Sequence, residues 1–228
     1  MHALASAAEH MVPAVEPGRG VYDADRAAAL AGVPRSTLHY WAREGIYRPS
    51  ISPDPRTRLW SWGDLLALRV IDWLRRAKPN HQPPNVSIRA IRQALVQLDQ
   101  LGGSREHLHD VIAVSHAGDL FLRVDGSNLV RADTSRQTAM ADVLRPVRPY
   151  HGAPDLLEPR PLLRIVPGKL HGEPHIVDTR IPSAAIYALT EAGYGLDQIE
   201  TMYPEASRDA LAQAIDLERS LQALAQVA

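Results

Sequence analysis

Cysteine is absent from this chain of 228 residues, so neither disulfides nor thiolate metal sites are open to it. Phenylalanine occurs once, at Phe121, and the four tryptophans, Trp41, Trp60, Trp62 and Trp73, all fall in the first third. No run of about eighteen apolar residues exists, which excludes a membrane-spanning helix. Met1–Val15 is Ala-rich and carries His2, Glu9 and His10 in place of a basic segment, so residues 1–19 read as a flexible tail and not a signal peptide. Catalytic signatures are missing too. There is no phosphate-binding loop, nucleophile elbow or paired-carboxylate motif, and the chain reads as a non-enzyme without a cofactor. A hydrophobic fraction of 45% and a charged fraction of 22% fit a globular chain of about two domains, compatible with a reducing cytoplasm.

A net charge of −1 conceals an uneven distribution. Between Arg19 and Asn80 eleven cations face six acids, a balance of +5. From Tyr150 to Ala228 six cations face eleven acids, a balance of −5. A basic half and an acidic half suggest different partners for each.

The punctuation predicts a mainly α chain with a small β component. Asp23–Ala31 is an Ala-rich helix with acid at its start, and Gly32-Val33 breaks it. Pro34 suits the first position of a second helix through Glu44, stopped by Gly45. Pro49–Thr57 cannot be helical and reads as a loop or wing. Ser61 and Asp64 are spaced as a capping box ahead of a buried helix at Leu65–Ala77. After a turn at Asn80–Asn85, Ile88, Ile91, Leu95 and Leu98 mark one face of a helix at Val86–Leu101. Val111–Ser115 and Leu120–Val124 predict a β-hairpin, with a short strand at Asn128–Arg131. Five prolines make Asp142–Pro161 an extended linker. A strand at Leu162–Val166 precedes helices at about Ser183–Ala192, Leu196–Met202 and Ser207–Ala225. The expected organisation is a tail at 1–19, a helix-turn-helix region at 20–104, a β-hairpin region at 105–145, a Pro-rich linker at 146–161 and a small helical, helix-turn-helix-like domain at 162–228.

Helix, tight glycine turn and second helix form a DNA-binding unit when polar side chains near the second helix's start can reach base edges. Here Arg35, Ser36 and Thr37 lie at that start, with His39 and Tyr40 one turn on and Arg43 beyond. Arginine can fork onto guanine, while Ser, Thr and Tyr can bond phosphates. Leu38 and Trp41 fall on the opposite side and belong to the core. Arg48, Arg56 and Arg58 in the following loop would add contacts to the DNA backbone.

Residues Tyr22 to Arg76 resemble the winged helix-turn-helix of MerR-like regulators. The run Thr37-Leu38-His39-Tyr40-Trp41, then Glu44-Gly45-Ile46, matches their recognition helix and its end. Thr57-Arg58-Leu59-Trp60-Ser61 before Asp64-Leu65 matches their wing. The resemblance implies a phosphate-contact role for Tyr40 and Arg58, with His39 standing where the family has arginine. It implies double-stranded operator DNA as a partner and a homodimer on a two-fold operator. The long dimerisation helix and cysteine effector site of typical members are not visible.

Residues Leu163–Leu221 resemble a small helical domain found in many bacterial antitoxins. The pattern appears as Gly172-Glu173-Pro174-His175-Ile176-Val177-Asp178-Thr179-Arg180-Ile181-Pro182, followed by Ala192-Gly193 and Tyr203-Pro204. Asp178 replaces the usual glycine and Glu173 a usual lysine. Joined to a MerR-like reader, the domain resembles the larger antitoxins of VapB-type toxin–antitoxin pairs. That implies a PIN-like nuclease toxin as partner and repression of the shared operon, with Thr179, Arg180 and Tyr203 as candidate partner contacts. Thr179 also suits a helix cap, Pro182 a first helical turn, and Arg180 an ion pair with Asp178 or Glu200. The alternative is a ligand-responsive regulator whose pocket lies in His109–Arg131. Ten histidines raise a metal site, but His107 with His109 and His171 with His175 lack helical spacing and a glutamate, so they read as surface residues.

Overall fold

A computed structural model describes residues 20–52, 54, 56–76, 85–103, 108, 112–114, 119–125, 128–132, 138–139, 145–146 and 155–226. The expected tail at 1–19, most of the turn at 80–85, the pair His107 and His109, and residues 147–154 of the expected linker lie outside them. The described part is mainly helical with two small antiparallel sheets. No described helix is long and apolar enough to cross a membrane.

Helix α1 spans Ala24–Ala31, capped by the Asp23 carboxylate accepting from the Arg26 N–H at 2.7 Å and ended by Gly32 at φ 67°. Its run Ala27 to Ala31 is wholly buried, small enough for neighbours to approach closely. Helix α2 spans Arg35–Arg43. Pro34 occupies its N-cap and not the expected first position; with φ at −51° and no N–H, either place suits it.

Helix α3 runs from Trp62 to Arg75, three residues earlier than the hydrophobic pattern suggests. The Ser61–Asp64 box is present as expected, but it makes Ser61 the cap and Asp64 the third helical residue, which draws Trp62 and Gly63 into the first turn. Helix α4, Ile88–Gln100, is capped by Ser87 and buries Ile91, Ala94, Leu95 and Leu98.

Strands β1 (Ile112–Val114), β2 (Leu120–Asp125), β3 (Asn128–Arg131), β4 (Thr138–Ala139) and β5 (Arg145–Pro146) form one antiparallel sheet in the order β4-β3-β2-β1-β5. The expected hairpin is β1–β2, and the sheet extends beyond it on both sides. β5, at the start of the expected linker, pairs with β1, and its Pro146 sits at the sheet edge where no donor is needed. β2 packs on α4, with Leu120 and Leu122 buried.

In the C-terminal part β6 (Leu163–Arg164) pairs antiparallel with β7 (His175–Ile176), and a 3-10 turn at Leu170–Gly172 lies between them. Helices α5 (Ser183–Glu191), α6 (Leu196–Met202) and α7 (Arg208–Gln226) follow, close to their expected positions. Helix α7 buries Leu211, Ala214, Ile215, Leu217, Glu218 and Leu221, packing on α5, α6, both strands and α1 of the N-terminal part. The buried residues form one continuous cluster across both parts. So small a C-terminal domain supplies little core alone and completes it against the N-terminal part.

Candidate nucleic-acid interface

Burial of Leu38, Trp41 and Ala42 turns the other side of α2 outward. Arg35, Ser36, Tyr40 and Arg43 are exposed there, while Thr37 and His39 are half-buried. The Arg43 guanidinium lies 5.7 Å from the centre of the Tyr40 ring and pairs with Glu44 at 3.1 Å. Tyr40 is 44% exposed, with that cation over its ring.

The wing is a narrow ladder. Ser52 and Leu59 exchange backbone bonds of 3.2 and 3.1 Å, and Tyr22 and Trp60 exchange two of 2.9 Å. Its base is held by the buried Asp64 carboxylate, which accepts from the Ser61 N–H at 2.7 Å and from the Ser50 N–H, Ser50 hydroxyl and Tyr47 hydroxyl at 2.9 Å each. Tyr47 stacks on Trp60 at 6.3 Å between ring centres. Arg48 and Arg56 are exposed on this loop.

Anchored in this way, the wing carries Arg58 back to α2. Its Nη1 donates to Nδ1 of His39 at 2.9 Å. Arg35 on the preceding turn lies 3.4 Å from the other ring nitrogen and pairs with Asp25 of α1 at 2.8 Å. Desolvation, then the charges of Arg58 and Arg35, hold the His39 ring below the ordinary imidazole range, against the opposing pull of Asp25. The structure therefore brings Arg35, His39 and Arg58 together, with Ser36, Tyr40 and Arg43 exposed along the outward side of α2.

Not every cation of the N-terminal excess faces outward. Arg69 donates to the Leu30 carbonyl at 2.7 Å and Arg76 to the Gly32 carbonyl at 3.0 Å, so both close the C-terminal end of α1. Arg92, beyond that stretch, likewise donates to the Glu44 carbonyl at 3.0 Å, just past the end of α2. Arg26 turns to the C-terminal domain, where it meets Glu173 and Glu218. Sequence reasoning missed this contact and Asp25. A signal for the first existed in Glu173, the acid standing where the resembled pattern has lysine.

The C-terminal candidates are more dispersed. Thr179 does not cap a helix; its hydroxyl donates to the Ile176 carbonyl at 2.9 Å and accepts from the Ile181 N–H at 3.1 Å, bracing the turn after β7. Asp178 in that turn takes φ 59°, a left-handed conformation that short polar residues tolerate, which explains how it replaces glycine. Pro182 is the N-cap of α5. Arg180 is exposed on the rim of a groove of about 520 Å³, lined also by Leu162, Ile176, Thr179, Glu205 and Ser207. Of the two acids expected for it, Glu200 pairs instead with Arg208 at 2.8 Å. Tyr203 is half-buried against the core and is not among the groove's lining residues.

Residues 22–96 match the family described as MerR HTH family regulatory protein, and residues 164–216 match a family of proteins of unknown function, DUF433. A crystal structure of Rv2018 from Mycobacterium tuberculosis is 18% identical, with a TM-score of 0.44, covering 86% of this chain and 96% of that one. No curated protein matches the chain. With the exposed cationic face of α2 and its wing, the first of these matches makes residues 22–96 a MerR-family helix-turn-helix domain, a unit of DNA binding and transcription regulation.

Proposed function

We propose that the chain is the antitoxin of a type II toxin–antitoxin pair, a homodimeric repressor of its own operon that also neutralises a PIN-like ribonuclease. The observation that carries the DNA half is the Arg35–His39–Arg58 cluster beside the exposed Ser36, Tyr40 and Arg43. The toxin half rests on the antitoxin-like pattern from Gly172 to Tyr203. The −5 balance of residues 150–228 and the groove beside Arg180 favour a partner other than nucleic acid there. In the alternative, an effector would bind within His109–Arg131. Its residues Leu120 and Leu122 are buried in the core, and no observation among the described residues favours that reading.

The test is co-expression of the full chain with the product of the adjacent gene, together with titration of the duplex upstream of the operon. A stable complex that suppresses RNA cleavage supports the toxin half, and its absence at micromolar concentration overturns it. Duplex binding that falls steeply with salt supports the DNA half. Arg35→Ala weakens and relaxes recognition, whereas Arg58→Ala weakens all duplexes alike. Equal affinity of the wild type and both variants overturns the assignment.

A further inference from the structure

The reading face of α2 carries an acid that its function does not obviously want. Asp25, in the first turn of α1, forms an ion pair with Arg35, its Oδ1 lying 2.8 Å from Nε. A carboxylate at this position repels every approaching phosphate. The pair also contributes little to the fold, since the side chains are 62% and 55% exposed. Neither stability nor general DNA affinity accounts for it.

The protons at the neighbouring histidine explain what the pair does. A neutral imidazole has a single acceptor nitrogen. His39 uses its Nδ1 to accept from Arg58 at 2.9 Å, so its Nε2 carries the hydrogen. That nitrogen cannot then accept from Arg35, although the two lie 3.4 Å apart. The carboxylate of Asp25, 2.8 Å from Nε, is the charged partner that holds Arg35 there. Both contacts engage Nε, which leaves the two terminal amino groups of this 55% exposed side chain for the fork that bonds O6 and N7 of a guanine.

We propose that Asp25 is a specificity-determining positioning residue, which fixes the Arg35 fork for one guanine and weakens binding to all other duplexes. The inference rests on the DNA-reading function of residues 22–96. It adds that discrimination comes from a carboxylate outside the recognition helix. An arginine held in this way loses less rotamer freedom on binding than one free to swing to the nearest phosphate.

The experiment uses the full chain and two probes, a duplex selected from a random pool by the wild-type protein and a shuffled duplex of the same length and composition. Asp25→Asn, which keeps the size and removes the charge, is expected to bind the shuffled duplex as well as the wild type does or better. Its ratio of selected to shuffled affinity should fall by about tenfold, the lower end for one bidentate base contact. In an Arg35→Ala background the same change should leave the ratio unaltered, since Asp25 acts through Arg35. Tightening of both duplexes by one factor would show a purely repulsive charge and overturn the proposal, as would equal weakening of both. Failure of the wild type to enrich any duplex would instead sink the DNA-reading function itself.

Discussion

The guanidinium of Arg26, on the first helix of the DNA reader, is clamped between two carboxylates of the C-terminal domain, and Glu218 is the deeper of them. Nη1 and Nη2 of Arg26 meet the Glu218 oxygens at 2.7 and 2.9 Å, while Nε and Nη2 meet one Glu173 oxygen at 2.9 and 2.7 Å. The Ser183 hydroxyl also donates to Glu218. Burial alone would disfavour the cation, but the bonds to Glu218 and the charges of both acids outweigh it and raise the Arg26 pKa above its ordinary range. Alongside, the Tyr22 hydroxyl donates to the Gly172 carbonyl at 2.8 Å and the Val21 N–H to the His171 carbonyl at 2.9 Å.

Arg26→Ala should therefore be among the most damaging single changes outside the apolar core. It strands two acids, with Glu218 only 6% exposed, and removal of one partner from such a cluster costs about 3–5 kcal/mol. Urea unfolding should show that loss as a lowered midpoint. A loss below about 1 kcal/mol would contradict the clamp.

Two glycines separate backbone strain from steric blockage. Gly172 has φ 84°, and an added Cβ would lie 2.0 Å from the Tyr22 hydroxyl and 3.1 Å from Gly20 Cα. Gly193 has φ 91° with nothing within 4 Å of such an atom. Gly193→Ala should cost only the left-handed penalty of about 1–2 kcal/mol. Gly172→Ala should cost clearly more, because it also pushes Tyr22 off its contact. Equal melting-temperature shifts would show that the Tyr22 contact contributes nothing.

Asp64 joins helix capping to wing placement. Ser61→Ala removes one cap bond and should cost about 1 kcal/mol. Asp64→Ala leaves Tyr47, Ser50 and Ser61 without their shared acceptor and should cost about 2–4 kcal/mol. Chemical denaturation of the two variants checks the order, and a Ser61→Ala loss as large as that of Asp64→Ala would refute the wing anchor.

Acid should destabilise the fold in a defined direction. His39 is held low by desolvation and by Arg58 and Arg35; His175 is held low by desolvation, with a further push from Lys169 and an opposing hydrogen bond to the Glu173 carbonyl. The unfolded chain takes up these protons at a higher pH than the native chain does. Stability at these sites is thus complete above the unfolded value of about 6.5 and is lost as pH falls from there through the lower native value. Urea midpoints at pH 7.5 and 5.5 should differ in this sense, and His39→Gln with His175→Gln should reduce the difference. A difference unchanged in the double variant would rule out these two rings as its source.

What could be read from residue order was local. The Ser61–Asp64 box, Gly32 and the periodicity of Ile91, Leu95 and Leu98 act over three or four positions, and each appears where its spacing indicates. Where boundaries moved, as at Trp62, the cap outranked the hydrophobic pattern. The face of α2 was legible for the same reason, since Leu38 and Trp41 declare its buried side.

Pairing decisions were not legible. Arg26, Arg69 and Arg76 look like any other cations in the N-terminal excess, yet one bridges the two domains and the others close a helix end. Arg26 finds its partners 147 and 192 positions away, a separation at which no periodicity or spacing marks a contact. Asp25 and Arg35, or His39 and Arg58, meet only because α1, α2 and the wing close on a shared apolar core. Residue order determined the elements and their outward faces through short-range hydrogen bonding and periodic burial. Tertiary packing alone decided which charges became interface, which became cap and which were left exposed, because a charge's role depends on what folding brings within about 3 Å of it.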